Sequence, residues 1–428
     1  MNEIKKEFKL DVKTTLLLSF GFFASSMAWG LYNNFVPKLL EGFLSSTTLI
    51  GFVMVIDNIF GVIFQPLFGK ISDNTRTRFG RRMPFIIIGL PVCAVIFAVI
   101  PFMSNLYMTT VFPLMAVLIL FSFVMSIWRS PVIAIMPDLT PGPLRSQANG
   151  IVNLMGGIGA IIAFLAGGIL FNFWQSRTGD GNPLPFIFVS VMMVLALIVM
   201  MVFVREPKNA YEVEDKTKTV KVKLEKNEKK SLVLILLGIF LWFAGYNAME
   251  TFFSLYYTNT FVGTTAGDSS ITLTVFSLTF LIFAVPAGFI GARIGRRKAI
   301  LIGLTGLIVL FMPLAFAANI WLTRGCLFFG GFFWAMVNVN SLPMIVRLSG
   351  ETKIGTFIGY YYTFSFSSQI VSPILFGAIR DFAGHYKVLF LYACIAFALA
   401  MVSLFFVRHG EDQPQVTSAA EVLDGLGD

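Results

Sequence analysis

The sequence has little charge for its length, and this shortage limits the classes of protein it can belong to. Only 13% of the 428 residues are charged, and 56% are hydrophobic. Soluble domains are usually about 25% charged and about 45–50% apolar. A soluble protein of this length would still expose much of its surface to water, and so few charges could not cover that surface. The composition therefore excludes an ordinary soluble protein.

Cysteine and histidine are also scarce. Cys93, Cys326 and Cys394 all lie within apolar runs, and their spacing matches no disulfide framework or metal site. The two histidines, His385 and His409, lie near the ends of such runs. We therefore predict that the protein is not an enzyme and that it has no metal site and no cofactor.

What the sequence does contain is long apolar runs, separated by short breaks with charged residues, proline or glycine. Each run has about 20 residues, enough for a helix to cross a hydrocarbon layer about 30 Å thick. Lipid offers the backbone no hydrogen-bond partner, so the runs must be helical, and their lack of alternating polarity argues against a barrel. We predict an all-α membrane protein with twelve transmembrane helices. The predicted spans are 14–37, 46–71, 84–103, 108–136, 147–172, 185–204, 232–259, 271–293, 298–317, 320–346, 353–379 and 387–407.

Lysine and arginine are distributed unevenly between the two sides of these spans. With the N-terminus in the cytoplasm, 26 of the 32 basic residues fall on the cytoplasmic side and five on the outer side. Such an excess is typical of cytoplasmic loops. We predict a multi-pass protein of the cell (inner) membrane with both termini in the cytoplasm. The net charge of +9 indicates contact with anionic lipid rather than with nucleic acid, and we expect a monomer.

Two loops of the first half recur in the second half. Gly69–Phe85 and Gly288–Ile300 both contain a glycine, a helix end and then Gly-Arg-Arg, while Asp138–Gly150 and Arg347–Gly359 share a length of 13 residues. Residues of the first and seventh spans also match, with Trp29, Tyr32 and Asn33 against Trp242, Tyr246 and Asn247. Such repeats predict two pseudo-symmetric six-helix halves with a site where they meet. The predicted domains are the N-terminal half 1–204, a cytoplasmic linker 205–231, the C-terminal half 232–407 and a cytoplasmic tail 408–428.

The loop after the second span resembles the signature loop of the major facilitator superfamily, Gly-x-x-x-Asp-Arg-x-Gly-Arg-Arg. Gly80 follows Asp73 by seven positions here, against three in the family pattern. Gln65–Phe85 is similar to the sucrose-transporter-like branch and to the glycoside–pentoside–hexuronide cation symporters, and Arg129–Ala160 resembles a bacterial member of the first branch. This resemblance implies proton-coupled uptake of a disaccharide or another glycoside.

Charged residues in the cytoplasmic loops are candidates for a gate. We expect Asp73, at the end of the second span, to interact with the positive N-terminal end of the eleventh span near Lys353 and to help close the cytoplasmic side. The second half has Ala292 in the corresponding place, so its lock should be weaker. The alternative is that the arginines only set the topology. The predicted gating residues are Asp73, Arg81, Arg82, Asp138, Arg145, Arg296 and Arg297.

Three ionisable residues, Asp57, Arg129 and Glu250, fall well inside predicted spans. Charges are costly in lipid, so these residues should face the interior of the helix bundle and serve transport. A purely structural ion pair is the alternative. Asp57 and Glu250 are the candidates for carrying a proton, because a buried carboxyl group can hold one. A hard cation needs several oxygen ligands, and Gly61 stands one turn after Asp57, which disfavours sodium although Asn58 leaves it open.

Four tryptophans lie in the first, fourth, seventh and tenth spans, far from the interfaces where tryptophan usually anchors. The family resemblance implies that these spans line a central cavity. An indole can cover the apolar face of a sugar, while amides, guanidinium groups and carboxylates bind its hydroxyls. Core packing is the alternative for each aromatic residue. The predicted substrate-binding residues are Trp29, Tyr32, Asn33, Asp57, Trp128, Arg129, Trp242, Tyr246, Asn247, Glu250, Trp334 and Asn338.

These features favour a secondary transporter that imports a sugar, a disaccharide or glycoside, together with protons by alternating access of two halves. Efflux of a drug or another amphiphile and sodium-coupled sugar symport remain alternatives. A receptor that does not transport is a third possibility, but the linker 205–231 and the tail are too short to form a signalling domain.

Overall fold

The computed structural model describes residues 10–141, 144–206, 226–347 and 354–407, and nearly all of them are helical. A short 3-10 helix, Ile100–Met103, extends α5. The helices of the first half are α1 Val12–Leu18, α2 Phe20–Glu41, α3 Thr47–Met54, α4 Ile56–Asn74, α5 Met83–Val99, α6 Phe112–Leu139, α7 Arg145–Thr178 and α8 Pro183–Phe203. Those of the second half are α9 Lys226–Thr260, α10 Ala266–Ile294, α11 Arg296–Phe316, α12 Ile320–Arg347, α13 Ile354–Ala383 and α14 Val388–Phe405.

Eleven stretches in the described part of the chain are long and apolar enough to cross a membrane. The remaining long helix, α13, has 30 residues and coincides with the predicted span 353–379, but its sequence is rich in tyrosine, serine and threonine. Each predicted span corresponds to one of these helices or to a pair of them. The predicted fold class, an all-α membrane protein built from two repeated halves, is therefore confirmed.

Each of the first two spans is divided into two helices. Between α1 and α2, the hydroxyl of Ser19 donates a 2.5 Å hydrogen bond to the carbonyl of Thr15, a back-bond that is known to bend helices. Between α3 and α4, Val55 has φ −91° and ψ −7°. The second break places Asp57 in the first turn of α4, where the helix dipole favours a negative charge.

The chain forms two compact units. The first unit comprises Met1–Lys216, Ala248–Ser277 and Ser372–Leu389, and the second comprises Thr217–Asn247, Leu278–Val371 and Phe390–Asp428. The first unit thus combines α1–α8 with the parts of α9, α10 and α13 that lie next to the predicted outer loops. The division into domains at 204, 231 and 407 stays a prediction, since compactness and the sequence repeat mark different boundaries.

Polar side chains join the helices of the first unit near the predicted outer side. Asn34 on α2 donates to the carbonyl of Ala266 at 3.4 Å and accepts from the hydroxyl of Ser269 at 3.1 Å. The hydroxyl of Ser270 on α10 donates to the carbonyl of Phe164 on α7 at 2.8 Å. Because lipid cannot satisfy such groups, these contacts help hold α10 against α2 and α7.

The second unit has a core of small and flexible side chains where α10, α11 and α12 meet, formed by Ala287, Ala299, Ala335 and Met336. The amide of Asn340, which is fully buried, donates to the carbonyl of Ala287 at 3.0 Å. Small residues allow such close approach of helices within a membrane.

Candidate functional site

The first unit gathers five of the predicted site residues, Trp29, Asn33, Asp57, Arg129 and Glu250, which we call the central polar cluster. All five side chains are half-buried. The guanidinium carbon of Arg129 lies 5.6 Å from the centre of the Trp29 ring. The amide of Asn33 donates to Glu250 at 3.2 Å. Asp57 lies close enough to Arg129 and Glu250 to interact with both charges. The structure thus brings together four helices, α2, α4, α6 and α9, around these groups.

Asp57 keeps one oxygen available. Its Oδ1 accepts the backbone N–H of Asn58 at 2.7 Å and the Asn58 side-chain amide at 3.1 Å. Within the described residues, its Oδ2 accepts no hydrogen bond and Arg129 forms no direct ion pair with it. Because Asp57 is half-buried rather than sealed, this oxygen can meet a proton or a substrate hydroxyl.

Tyr32 is buried and packs against Trp29, one member of the central polar cluster. Its side chain is 1% exposed, and its ring stacks on Phe121 at 5.4 Å and meets Trp29 edge to face at 5.4 Å. Aromatic pairs in these arrangements add about 0.5–1.5 kcal/mol beyond the burial of area. Tyr32 therefore fixes the orientation of Trp29 in this structure.

Trp128 and Trp242 are fully buried, so neither indole offers a surface to a ligand in this structure. Trp128 packs against α5, where Gly89 leaves room for its side chain and the Cys93 thiol lies beside it. Trp242 packs over Gly238 of its own helix. Their predicted role in substrate binding stays a prediction, and helical spacing alone could not tell which side of the helix faces a neighbour.

The second unit contains the remaining predicted residues. Tyr246 and Trp334 stack in parallel, with ring centres 4.3 Å apart and an interplanar angle of 2°. Trp334 is 3% exposed, whereas Tyr246 and Asn338 are half-buried. Asn247 is buried and donates to the hydroxyl of Ser368 at 2.9 Å. Within this unit, Tyr246 and Asn338 are thus the members with accessible surface.

Four of the predicted gating residues meet at the ends of α4 and α6 and at the start of α5. Arg81 binds Asp138 through two contacts, of 2.6 and 3.1 Å, and Arg82 binds the same carboxylate at 2.9 Å. Arg82 also pairs with Asp73 and donates to the hydroxyl of Ser72 at 2.5 Å. The partner predicted for Asp73, the helix end near Lys353, lies outside the described residues.

Glu206 belongs to this group and was missed by the sequence reasoning, which placed it in the cytoplasmic linker 205–231. Its Oε2 accepts the backbone N–H groups of Arg82 at 2.9 Å and of Met83 at 3.3 Å, and so caps the N-terminus of α5. Its side chain is 1% exposed, and its Oε1 lies 3.8 Å from Arg81. Gly80, with φ +103°, leaves the space that this carboxylate fills. We call Asp73, Arg81, Arg82, Asp138 and Glu206 the arginine cluster.

The other three predicted gating residues bind neutral oxygen atoms. Arg145 donates to two carbonyls at the end of α6, at 3.2 and 3.0 Å, and Arg297 to two carbonyls at the end of α14, at 3.0 and 2.8 Å. Arg296 donates to the Asn340 side chain at 3.0 Å. The repeat explains the difference, because Arg347 stands in the second half where Asp138 stands in the first.

Apolar membrane helices that surround half-buried charged groups are typical of polytopic α-helical transporters. The chain belongs to the Major Facilitator Superfamily, whose family profile matches residues 18–265 and 259–425. This match to two segments agrees with the two repeated halves.

Named relatives resemble less than half of the chain. Multidrug resistance protein MdtG of Proteus mirabilis (strain HI4320) is 31% identical over 186 residues, which cover 42% of this chain and 45% of that protein. The same protein of Klebsiella pneumoniae (strain 342) is 31% identical over 211 residues, covering 46% and 49%. The chain thus spans about half the length of the curated relatives it matches.

Solved structures share the fold along nearly the whole chain. The xylose transporter XylE from E. coli, in an inward open conformation, has a TM-score of 0.69 at 15% identity, with 97% of this chain and 99% of that chain covered. The nucleoside transporter NupG has a TM-score of 0.66 at 14% identity, with 92% and 98% covered. At these identities the likeness shows the fold.

Proposed function

We propose that the protein is a proton-coupled transporter that imports a small hydroxyl-rich substrate, a sugar or glycoside, by alternating access. The central polar cluster is the observation that supports this proposal. It combines one accessible indole with an amide, a guanidinium group and two carboxylates, all half-buried. A sugar needs both an apolar surface for its C–H face and several polar partners for its hydroxyls.

The cluster favours a polar cargo over a bulky apolar one. Arg129 lies beside the Trp29 ring, and Asn33, one helical turn after Trp29, binds Glu250, so a bound ring would meet polar groups at its rim. Two of the indoles that could have widened an aromatic surface, Trp128 and Trp242, are used in packing. We assign Arg129 and Asn33 to substrate hydroxyls and Trp29 to the ring face.

Asp57 is the proposed proton carrier. Its free oxygen and its proximity to Arg129 allow the proton and the substrate to compete for, or share, one group of charges. Binding that differs between the two states of the carrier is what lets a proton gradient drive the conformational cycle. Glu250, bound to Asn33, is the second carboxyl group that can take part.

Efflux of a drug or another amphiphile is the second candidate, because the curated relatives matched at 30–31% identity are named multidrug resistance proteins. In that case the same two carboxylates would bind a cationic cargo. The alternatives differ in the direction of transport and in the chemistry of the cargo.

The test uses purified protein in proteoliposomes. Labelled sucrose or maltose should accumulate when a proton gradient is imposed and should not accumulate when only a sodium gradient is imposed. Asp57→Asn should abolish accumulation and leave sugar exchange intact, whereas Asp11→Asn, a surface acid, should behave like the unmodified protein. Accumulation that survives in Asp57→Asn rules out Asp57 as the carrier. Proton-driven movement of a lipophilic cation without any sugar uptake favours efflux instead.

We propose that the arginine cluster stabilises the closed cytoplasmic side of the transporter. We also propose that both termini face the cytoplasm. The cluster ties together the ends of α4 and α6 and the start of α5, the segment where the sequence predicts the second cytoplasmic loop. A fluorescent protein that folds only in the cytoplasm should therefore fluoresce when it is fused to either terminus. If instead a reporter enzyme that is active only in the periplasm is active when fused to a terminus, the assignment of sides is reversed.

A further inference from the structure

An acidic residue near the end of α13 binds the beginning of α3. Asp381 accepts four hydrogen bonds from three consecutive residues of that region. Its Oδ1 accepts the backbone N–H of Thr47 at 2.8 Å. Its Oδ2 accepts the Thr48 backbone N–H at 3.0 Å and the hydroxyls of Thr48 and Ser46, both at 2.7 Å. We call Ser46, Thr47, Thr48 and Asp381 the external latch.

The position of this charge is explained by α3 rather than by its own helix. Asp381 lies in the last turn of α13, where the helix dipole disfavours a negative charge. At the start of α3 the same dipole favours it, and the first N–H groups there have no partner within the helix. Bonds to a charged acceptor are stronger than those between neutral groups. The latch is therefore a specific contact between two helices that are more than 300 positions apart in the chain.

The neighbours of the latch strengthen this contact. Thr47 is fully buried, and its hydroxyl shares a 3.1 Å hydrogen bond with the hydroxyl of Tyr386. Arg380 lies 3.4 Å from Asp381 and places its guanidinium 4.2 Å from the centre of the Tyr386 ring. The backbones also touch, since a Cβ atom added to Gly377 would lie 2.6 Å from the Thr47 carbonyl oxygen. Together these contacts pack α13 closely against the beginning of α3.

We propose that Asp381 is a gating residue of the transport cycle, which holds α13 to α3 while the outer side is closed and releases α3 when that side opens. This inference rests on the proposed alternating access. The latch is also connected to the central polar cluster, because α3 continues through Val55 directly into the first turn of α4 and Asp57. In the proposed cycle, a movement of α3 would reach the proposed proton carrier through this connection.

The test measures the opening of the outer side directly. Ser270 is 0% exposed where α10 contacts α7, so Ser270→Cys is a reporter that reacts with a soluble maleimide only when these helices separate. The three native cysteines are buried, and the protein without the reporter supplies the background rate. In purified protein in nanodiscs, Asp381→Asn should increase the labelling rate about tenfold, the change expected when charge-assisted bonds worth about 1.4 kcal/mol are lost.

The matched control is Asp11→Asn. Asp11 also accepts a backbone N–H and a threonine hydroxyl at a helix start, both from Thr14, but among the described residues it joins no second helix. Its labelling rate should equal that of the reporter protein alone. A labelling rate for Asp381→Asn within about twofold of this control overturns the proposal, since a twofold change is about 0.4 kcal/mol.

Two further variants separate gating from a general loss of folding. Thr48→Val removes one of the four bonds and keeps the carboxylate, and should increase labelling about threefold, as expected for one bond of roughly 0.7 kcal/mol. A cysteine at Ser122, which is 3% exposed inside α6, should stay unlabelled in every variant. Equal labelling of both reporters means general loosening and overturns the proposal.

The outcome is independent of the substrate. If Asp381→Asn increases the labelling rate but the protein takes up no sugar, the proposed cargo is refuted and the proposed latch is supported. If the protein takes up sugar but Asp381→Asn leaves the labelling rate of the Ser270→Cys reporter unchanged, only the proposed latch is refuted.

Discussion

Two carboxylates bind Arg82, and they should differ greatly in their contribution to stability. The side chain of Asp138 is 4% exposed and binds both Arg81 and Arg82, whereas that of Asp73 is 53% exposed and, among the described residues, forms an ion pair with Arg82. Removing one partner of a buried ion pair costs about 3–5 kcal/mol, because the other charge is left without compensation. An exposed pair contributes about 0–1 kcal/mol. The perturbation is Asp138→Asn, with Asp73→Asn as its matched control.

Asparagine has the shape of aspartate but presents an NH2 group to one of the two guanidinium groups. Since all three contacts of Asp138, at 2.6, 2.9 and 3.1 Å, involve charged donors, none is fully replaced. Glu206 and Asp73 compensate only in part, since Glu206 Oε1 lies 3.8 Å from Arg81 and Asp73 is exposed to solvent. We expect a loss of about 3 kcal/mol, at the lower end of the range for buried pairs.

Thermal unfolding of the purified protein in detergent is the assay. The midpoint should fall by several degrees in Asp138→Asn and by about 0–2 °C in Asp73→Asn, with about 2 °C for each kcal/mol in a long chain. High salt should reduce the small effect of Asp73→Asn further, because exposed charges are screened. Equal midpoints for the two variants would show that burial does not set the strength of these pairs, and the reasoning would be refuted.

Three further changes test other parts of the structure. Trp29→Ala should raise the KM for sugar about tenfold, since a half-buried indole loses about 1.4 kcal/mol of substrate contact. Its unfolding midpoint should fall only slightly, by the roughly 1 kcal/mol of its ring contact with Tyr32. Trp242→Ala should do the reverse, with a loss of about 3–5 kcal/mol of stability from the cavity it leaves and little change in KM. Glu206→Gln should lower stability by about 1–3 kcal/mol, because the buried cap of α5 loses its charge, and unfolding at two salt concentrations should show no screening of this effect. A fall in stability for Trp29→Ala as large as for Trp242→Ala would contradict the assignment of the two indoles.

The membrane spans could be predicted from the sequence because lipid allows the backbone only helices or closed barrels, and these runs lack the alternating polarity of a barrel. An apolar run of about 20 residues must be a helix, whatever its neighbours are. The buried charges were equally predictable, because Asp57, Arg129 and Glu250 are too costly to place against lipid. That Trp29, Arg129 and Glu250 would meet was implied by the family resemblance, which places the first, fourth and seventh spans around a central cavity, rather than by any local pattern.

Side-chain direction could not be predicted in the same way. Trp128 and Trp29 are the same residue type and both lie inside predicted spans, yet one is sealed against Gly89 and the other stays half-buried beside Arg129. The difference depends on which neighbour is small, and that neighbour lies on another helix. Glu206 was missed for a similar reason, because it stands among lysines and glutamates and only the fold brings it to the start of α5.

The two ends of the first unit use the same chemistry for contacts of different kinds. Glu206 caps α5 and Asp381 caps α3, each with a carboxylate that accepts backbone N–H groups at a helix start. Glu206 lies at the start of the predicted linker and binds the beginning of α5 in the adjoining half, so its bonds can persist through a cycle in which the halves move as bodies. Asp381 joins one half to the other, so the proposed cycle requires its bonds to break when the outer side opens. Loss of the first cap should therefore lower stability in every state, whereas loss of the second should shift the balance between states.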